Sequence, residues 1–101
     1  MHHLITQQHI DDFQRDGVVL IKGLFKDHID DLCKGIAFNM ENPGPYAAEN
    51  LKEGEGGRFF DDYCNWMRIA EFERVIRTSP AAQIASDLMA SHTVQLFHDH
   101  V

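Results

Sequence analysis

Thr93-Val94-Gln95-Leu96-Phe97-His98-Asp99-His100-Val101 is the stretch whose reading decides the fold. β-Branched and aromatic residues are frequent in it, and no Gly or Pro interrupts it, so it reads as a strand. Side chains alternate along a strand. Val94, Leu96, His98 and His100 therefore share one face, and Gln95, Phe97, Asp99 and Val101 the other. One face grades from apolar residues into a pair of imidazoles, as it does where a sheet interior opens into a polar site.

A second strand-like stretch lies far upstream. Val18-Val19-Leu20-Ile21 is wholly apolar and mostly β-branched, and Lys22-Gly23 closes it. Continuous apolarity rather than alternation implies that both of its faces are covered. A third strand is expected within the aromatic run from Arg58 to Trp66, where Phe59, Phe60, Tyr63 and Trp66 read as core. The adjacent carboxylates Asp61 and Asp62 read as solvated or capping.

Four helices surround these stretches. Thr6 caps the first, over about residues 7 to 15, with Ile5 and Ile10 forming a hydrophobic staple and Asp16-Gly17 a stop. Asp11 and Arg15 stand one turn apart and can pair. In the second helix, opened by Asp27, the stripe Ile29, Leu32, Cys33, Ile36, Ala37 and Met40 faces the interior. Gly35 in its middle implies close packing against a neighbour, because Gly there costs about 1 kcal/mol relative to Ala. Asn42-Pro43-Gly44-Pro45 ends that helix, and residues 46 to 57 read as a surface loop. The third helix, about 69 to 77, turns Phe72, Val75 and Ile76 to one side. Ser79-Pro80 restarts the chain into a fourth, lined by Ala81, Ile84, Ala85, Leu88 and Met89. The expected class is α+β, in one domain over residues 1–101.

The net charge is −7, with Lys and Arg numbering 9 against 16 Asp and Glu, and no basic cluster is present. Nucleic acid and anionic membrane surfaces are therefore poor partners, since phosphate neutralisation supplies most of such affinity. No apolar run approaches the roughly 20 residues of a membrane span, and the start has no signal-peptide pattern. Cys33 and Cys64 lack disulfide-framework and zinc-site spacing and read as buried reduced thiols, with cytoplasm the expected location.

No phosphate-cradling loop, nucleophile elbow or redox cysteine pair is present. Among the 7 histidines, His98 and His100 stand near enough on one face to share a metal with a third ligand. Asp99 points away from that face, so the His-Asp-His string cannot supply three ligands without distortion. The pair reads instead as lining a pocket or as hydrogen-bonded core histidines.

The chain as a whole resembles the N-terminal part of the phytanoyl-CoA dioxygenase family. The resemblance rests on the order of its pieces over essentially the whole length. A helix comes first, then Asp16-Gly17-Val18-Val19-Leu20-Ile21-Lys22-Gly23-Leu24-Phe25. The second helix, Asn42-Pro43-Gly44, Ser79-Pro80-Ala81-Ala82 and Val94-Gln95-Leu96-Phe97-His98-Asp99-His100 follow. It implies a double-stranded β-helix, or jelly roll, that binds Fe(II) and 2-oxoglutarate and hydroxylates a small organic substrate. The present stretch would hold the helical layer and the first strands only, since eight strands with turns need about 70 residues.

In the family, two histidines and a carboxylate hold the iron. The His-X-Asp part of that set follows the strand matching 93–101, and a co-substrate lysine lies about six positions beyond His98 on the same strand. His98-Asp99-His100 is not that motif. The resemblance thus implies no catalytic or metal residue within 1–101, no cofactor bound by this stretch alone, and His98 and His100 as contacts to a co-substrate or substrate pocket. Two other readings stand beside it: a free-standing α+β module completed by self-association, and a small metal-binding protein using His98 and His100. Either way a homo-oligomer is expected, a dimer first, because an unpaired strand edge and an uncovered apolar face both drive association.

Overall fold

The computed structural model describes all residues from Met1 to Val101. Thr6 opens α1 (Gln7–Asp16) with a capping box: its hydroxyl accepts from the His9 N–H, and the His9 ring accepts from the Thr6 N–H. Gly17 closes the helix in the left-handed region, φ 74°, donating its N–H to the Phe13 carbonyl. Arg15 pairs with Asp12 and Asp16 rather than with Asp11, whose carboxylate is taken by the Gln7 amide.

A 3-10 turn at Lys26–His28 leads into α2 (Ile29–Glu41), and Asp27 makes no capping bond there. Two short strands, β1 (Ala48–Glu49) and β2 (Phe60–Asp61), pair antiparallel with Ala48 opposite Asp61. α3 (Ala70–Thr78) and α4 (Ala81–Met89) follow, and Ala90, left-handed at φ 51°, ends the last helix. The molecule is thus α+β: four helices and a two-stranded antiparallel sheet. None of the helices is long and apolar enough to cross a membrane.

Helices α1 and α4 pack together, as do α2 and α3. In the first pair Ile5, Ile84 and Leu88 form a buried apolar cluster, with Ile10, Phe13, Val19, Ile21 and Leu24 packed against it. In the second, Phe72 and Val75 of α3 are buried beside Ile69. The Phe72 ring packs directly against Gly35, where any Cβ would collide with it. This is the close approach that a mid-helix glycine implies.

Several expectations fail here. The face of α2 turned inward carries Gly35 and Asn39, while Ile29 and Ile36 of the expected stripe are exposed, as is Cys33. Cys64 is also free and exposed, so neither thiol is a core residue. Within the aromatic run Phe59 is exposed and Tyr63 and Trp66 are half-buried, whereas Asp62 and Asn65 are the residues sealed from solvent. Packing on Gly35 fixes how α2 is turned, and a buried carboxylate recruits the polar residues on that side.

Neither long strand forms. Val18–Ile21 has irregular backbone whose burial alternates: Val19 and Ile21 lie on the apolar cluster, Val18 and Leu20 face solvent. Only one face is covered, against the expectation of two. In 93–101 the sole ladder contact is an antiparallel bridge between His100 and Tyr63. No backbone hydrogen bond to other main-chain groups is made by Val18–Ile21 or Val94–His98. Ten residues are buried and the radius of gyration is 16.2 Å, against about 13 Å for a compact domain of 100 residues. Much apolar surface is left bare.

Candidate functional site

Residues 99–101 run antiparallel to 62–64. Asp62 and Val101 exchange both backbone hydrogen bonds, 2.9 and 3.2 Å, and the Cys64 N–H donates to the Asp99 carbonyl at 3.1 Å. The left-handed backbone at Cys64, φ 63°, turns the chain so that the next two amides meet the Asp99 side chain. The Asn65 N–H and Trp66 N–H both donate to that carboxylate at 3.1 Å. Asp99 thus faces the helices, the side opposite His98 and His100.

On the outer side four rings gather. Tyr63 stacks on Tyr46 with centroids 4.8 Å apart, and its ring lies 5.8 Å from His98 and 5.6 Å from His100. The two imidazoles are 6.1 Å apart. The pairing explains why: Tyr63 stands directly opposite His100, and residues at even steps share its face. Asp61, two residues before Tyr63, turns Oδ1 to within 3.9 Å of His100 Nε2, while its Oδ2 accepts from the Asn50 amide at 2.6 Å. The sequence reading singled out His98 and His100 but missed Tyr63, Tyr46 and Asp61. The period-two face of residues 61 and 63 was the available signal.

Beneath this face lies a buried polar knot. Asp62 Oδ2 accepts from the Gly44 N–H at 2.7 Å and the Asn39 amide at 2.9 Å, and its Oδ1 from the Tyr63 N–H at 2.8 Å. Burial pushes the Asp62 carboxyl up, but these donors and the neighbouring Asn65 amide outweigh it, holding the group below the usual carboxylate range. Asn65 Oδ1 accepts from Arg68 at 2.7 Å, and Arg68 reaches on to the Asn42 carbonyl. Gly44 has no room for a Cβ against the Asn65 and Asp62 side-chain oxygens. Asp62 is therefore neither solvated nor one of an acid/base couple. It is the anchor of the segment that carries Tyr63.

Between α2, α3 and the terminal segment sits a mainly apolar cavity of about 180 Å³, lined by Leu32, Ile36, Phe72, Val75 and Ile76 with Asp99, His100 and Val101. A second apolar groove, about 240 Å³, lies where Val94 and Leu96 pass over Ile76, Ala81, Ala82 and Ala85. No three His, Cys, Asp or Glu side chains converge to hold a metal ion among themselves. No family model matches the chain, and neither a curated protein nor a solved structure does.

Proposed function

We propose that residues 1–101 are the N-terminal portion of a phytanoyl-CoA-dioxygenase-like Fe(II)/2-oxoglutarate oxygenase acting on a small organic substrate, and that this stretch is catalytically silent by itself. The observation that carries the reading is the pair of unpaired segments at 18–21 and 94–98. Val19 and Ile21 pack against the cluster of Ile5, Ile84 and Leu88, while Val94 and Leu96, both exposed, line a groove together with Ala81, Ala82 and Ala85. Both keep unpaired backbone and bare outward side chains: Val18 is 69% exposed, Leu20 78% and Phe97 91%. Helices with two unpaired strands laid across them are what the helical layer of a jelly roll requires before its remaining strands join.

On this reading His98 and His100 look into the barrel beside Tyr63 and line the pocket for co-substrate or substrate, while the iron ligands lie on later strands. Reading the coding sequence beyond Val101 tests it. A lysine about six residues past His98, with a His-X-Asp further on, is the expected result, and a continuation without either overturns it. The 101-residue protein itself is expected neither to decarboxylate 2-oxoglutarate nor to take up stoichiometric Fe(II) at low micromolar concentration.

The same bare faces favour a second reading, in which the chain works as a self-associating module. Two copies meeting about a two-fold axis would cover equivalent apolar surface and extend the sheet between them. As an isolated chain the protein is therefore expected to be a homodimer or larger closed oligomer with 93–101 at or near the contact.

A further inference from the structure

We infer that His98 and His100 form a two-point chelate for a borderline divalent cation, Zn(II), Ni(II) or Cu(II), with Asp61 as the outer carboxylate that fixes His100. The inference is independent of the oxygenase reading, whose iron ligands lie elsewhere.

The bridge between Tyr63 and His100 settles the register, so that His98, His100 and Asp61 all stand on one face. A metal about 2.1 Å from each imidazole nitrogen needs those nitrogens roughly 3–3.5 Å apart. The ring centroids are 6.1 Å apart and both side chains are exposed, so the chelate requires the two rings to turn toward each other. Tyr63, stacked on Tyr46, lies beside both rings at 5.6–5.8 Å.

Asp61 supplies what a ligating histidine ordinarily has on its far side. Asn50 fixes one carboxylate oxygen, leaving Oδ1 turned toward His100 Nε2. At 3.9 Å the two atoms are in reach but not hydrogen-bonded, and binding of a metal at the other ring nitrogen would draw them together into a carboxylate–histidine–metal arrangement. With two imidazoles and solvent in the remaining positions, metals late in the first row are favoured and Fe(II) is held weakly.

Titration of the 101-residue protein with Zn(II) or Ni(II), followed by calorimetry and by the histidine ring signals in NMR, tests this. One ion per chain is expected, shifting the His98 and His100 signals together. His98→Asn or His100→Asn is expected to weaken binding by roughly tenfold or more, and Asp61→Asn by less than the roughly tenfold that loss of a hydrogen-bonded outer partner costs. His2 and His3, whose rings are 4.4 Å apart, are the competing pair, and the double change of both to Asn is expected to leave the affinity unaltered. Binding that follows His2 and His3, or that leaves the His98 and His100 signals unmoved, overturns the proposal. The ring signals keep this readable even where a variant folds poorly.

Discussion

In the half built on α1 and α4 the buried side chains are Ile5, Ile84 and Leu88, all aliphatic. In the half built on α2 and α3, Ile69, Phe72 and Val75 share the interior with Asn39, Asp62 and Asn65, of which none is more than 1% exposed. The first half is held by non-directional apolar burial, which tolerates small shifts. The second depends on a carboxylate collecting donors from a loop, a helix and its own neighbour, and each of those bonds has a required geometry. The segments that carry the candidate site, 61–66 and 98–101, hang from the second half. The site's order is therefore set by hydrogen bonds rather than by packing area.

Removing Asp62 is expected to have the largest effect. Asp62→Ala leaves the Gly44 N–H, the Tyr63 N–H and the Asn39 amide without their acceptor, and a loss of about 4 kcal/mol is expected, since bonds to a charged group contribute roughly 1.5–3 kcal/mol each. Leu88→Ala in the apolar half should cost about 2–3 kcal/mol, in the range for a buried leucine. Chemical denaturation of both variants checks the order. A larger loss for Leu88→Ala would show that the polar knot is incidental.

Acid gives a second contrast. The folded-state carboxyl of Asp62 lies below its unfolded value, so its contribution is present above the unfolded pKa of about 4 and is lost as pH falls through the folded pKa. Amide exchange around residues 39–44 and 62–66 is expected to accelerate below about pH 4, before exchange in α1 and α4. Uniform loss of protection in both halves would contradict it.

Asp99→Ala is a smaller perturbation. It frees the amides of Asn65 and Trp66 and should cost about 1–2 kcal/mol, loosening the turn at Cys64 and separating Tyr63 from the imidazoles. Loss of ring-proximity NOEs between Tyr63 and His100 is the expected readout. Smallest of all in folding energy is Phe97→Ser. The ring is bare in a single chain, so stability should change by less than about 0.5 kcal/mol while self-association weakens.

The apolar half was legible in the sequence because its signals are local. The cap at Thr6, the Ile5–Ile10 staple, the Gly17 stop and the stripe through Ile84 and Leu88 each depend on near neighbours, and each is found in place. Phe72 and Val75 of α3, and the close approach at Gly35, were legible for the same reason. The polar knot was not. Asp62 meets Asn39 and Gly44 across 23 and 18 residues, and nothing in Asp61-Asp62 tells which carboxylate turns inward. The α2 stripe misled because packing on Gly35 rotates the helix away from its most apolar face. The two long strands were over-read, since a strand needs a partner and composition does not say whether one is present. At the candidate site, alternation was enough to put His98 and His100 together and Asp99 behind them, but the rings they meet come from residues 46 and 63.

Val18–Ile21 and Val94–His98 are unpaired in the single chain, and under the proposed function they join a sheet only when further strands meet them. Amide hydrogen exchange across a wide range of protein concentration, read at those residues, tests it most directly. Fast exchange is expected in dilute solution, with protection that grows with concentration as copies pair. Fast exchange at both segments throughout the range, with a mass that stays monomeric, would contradict it.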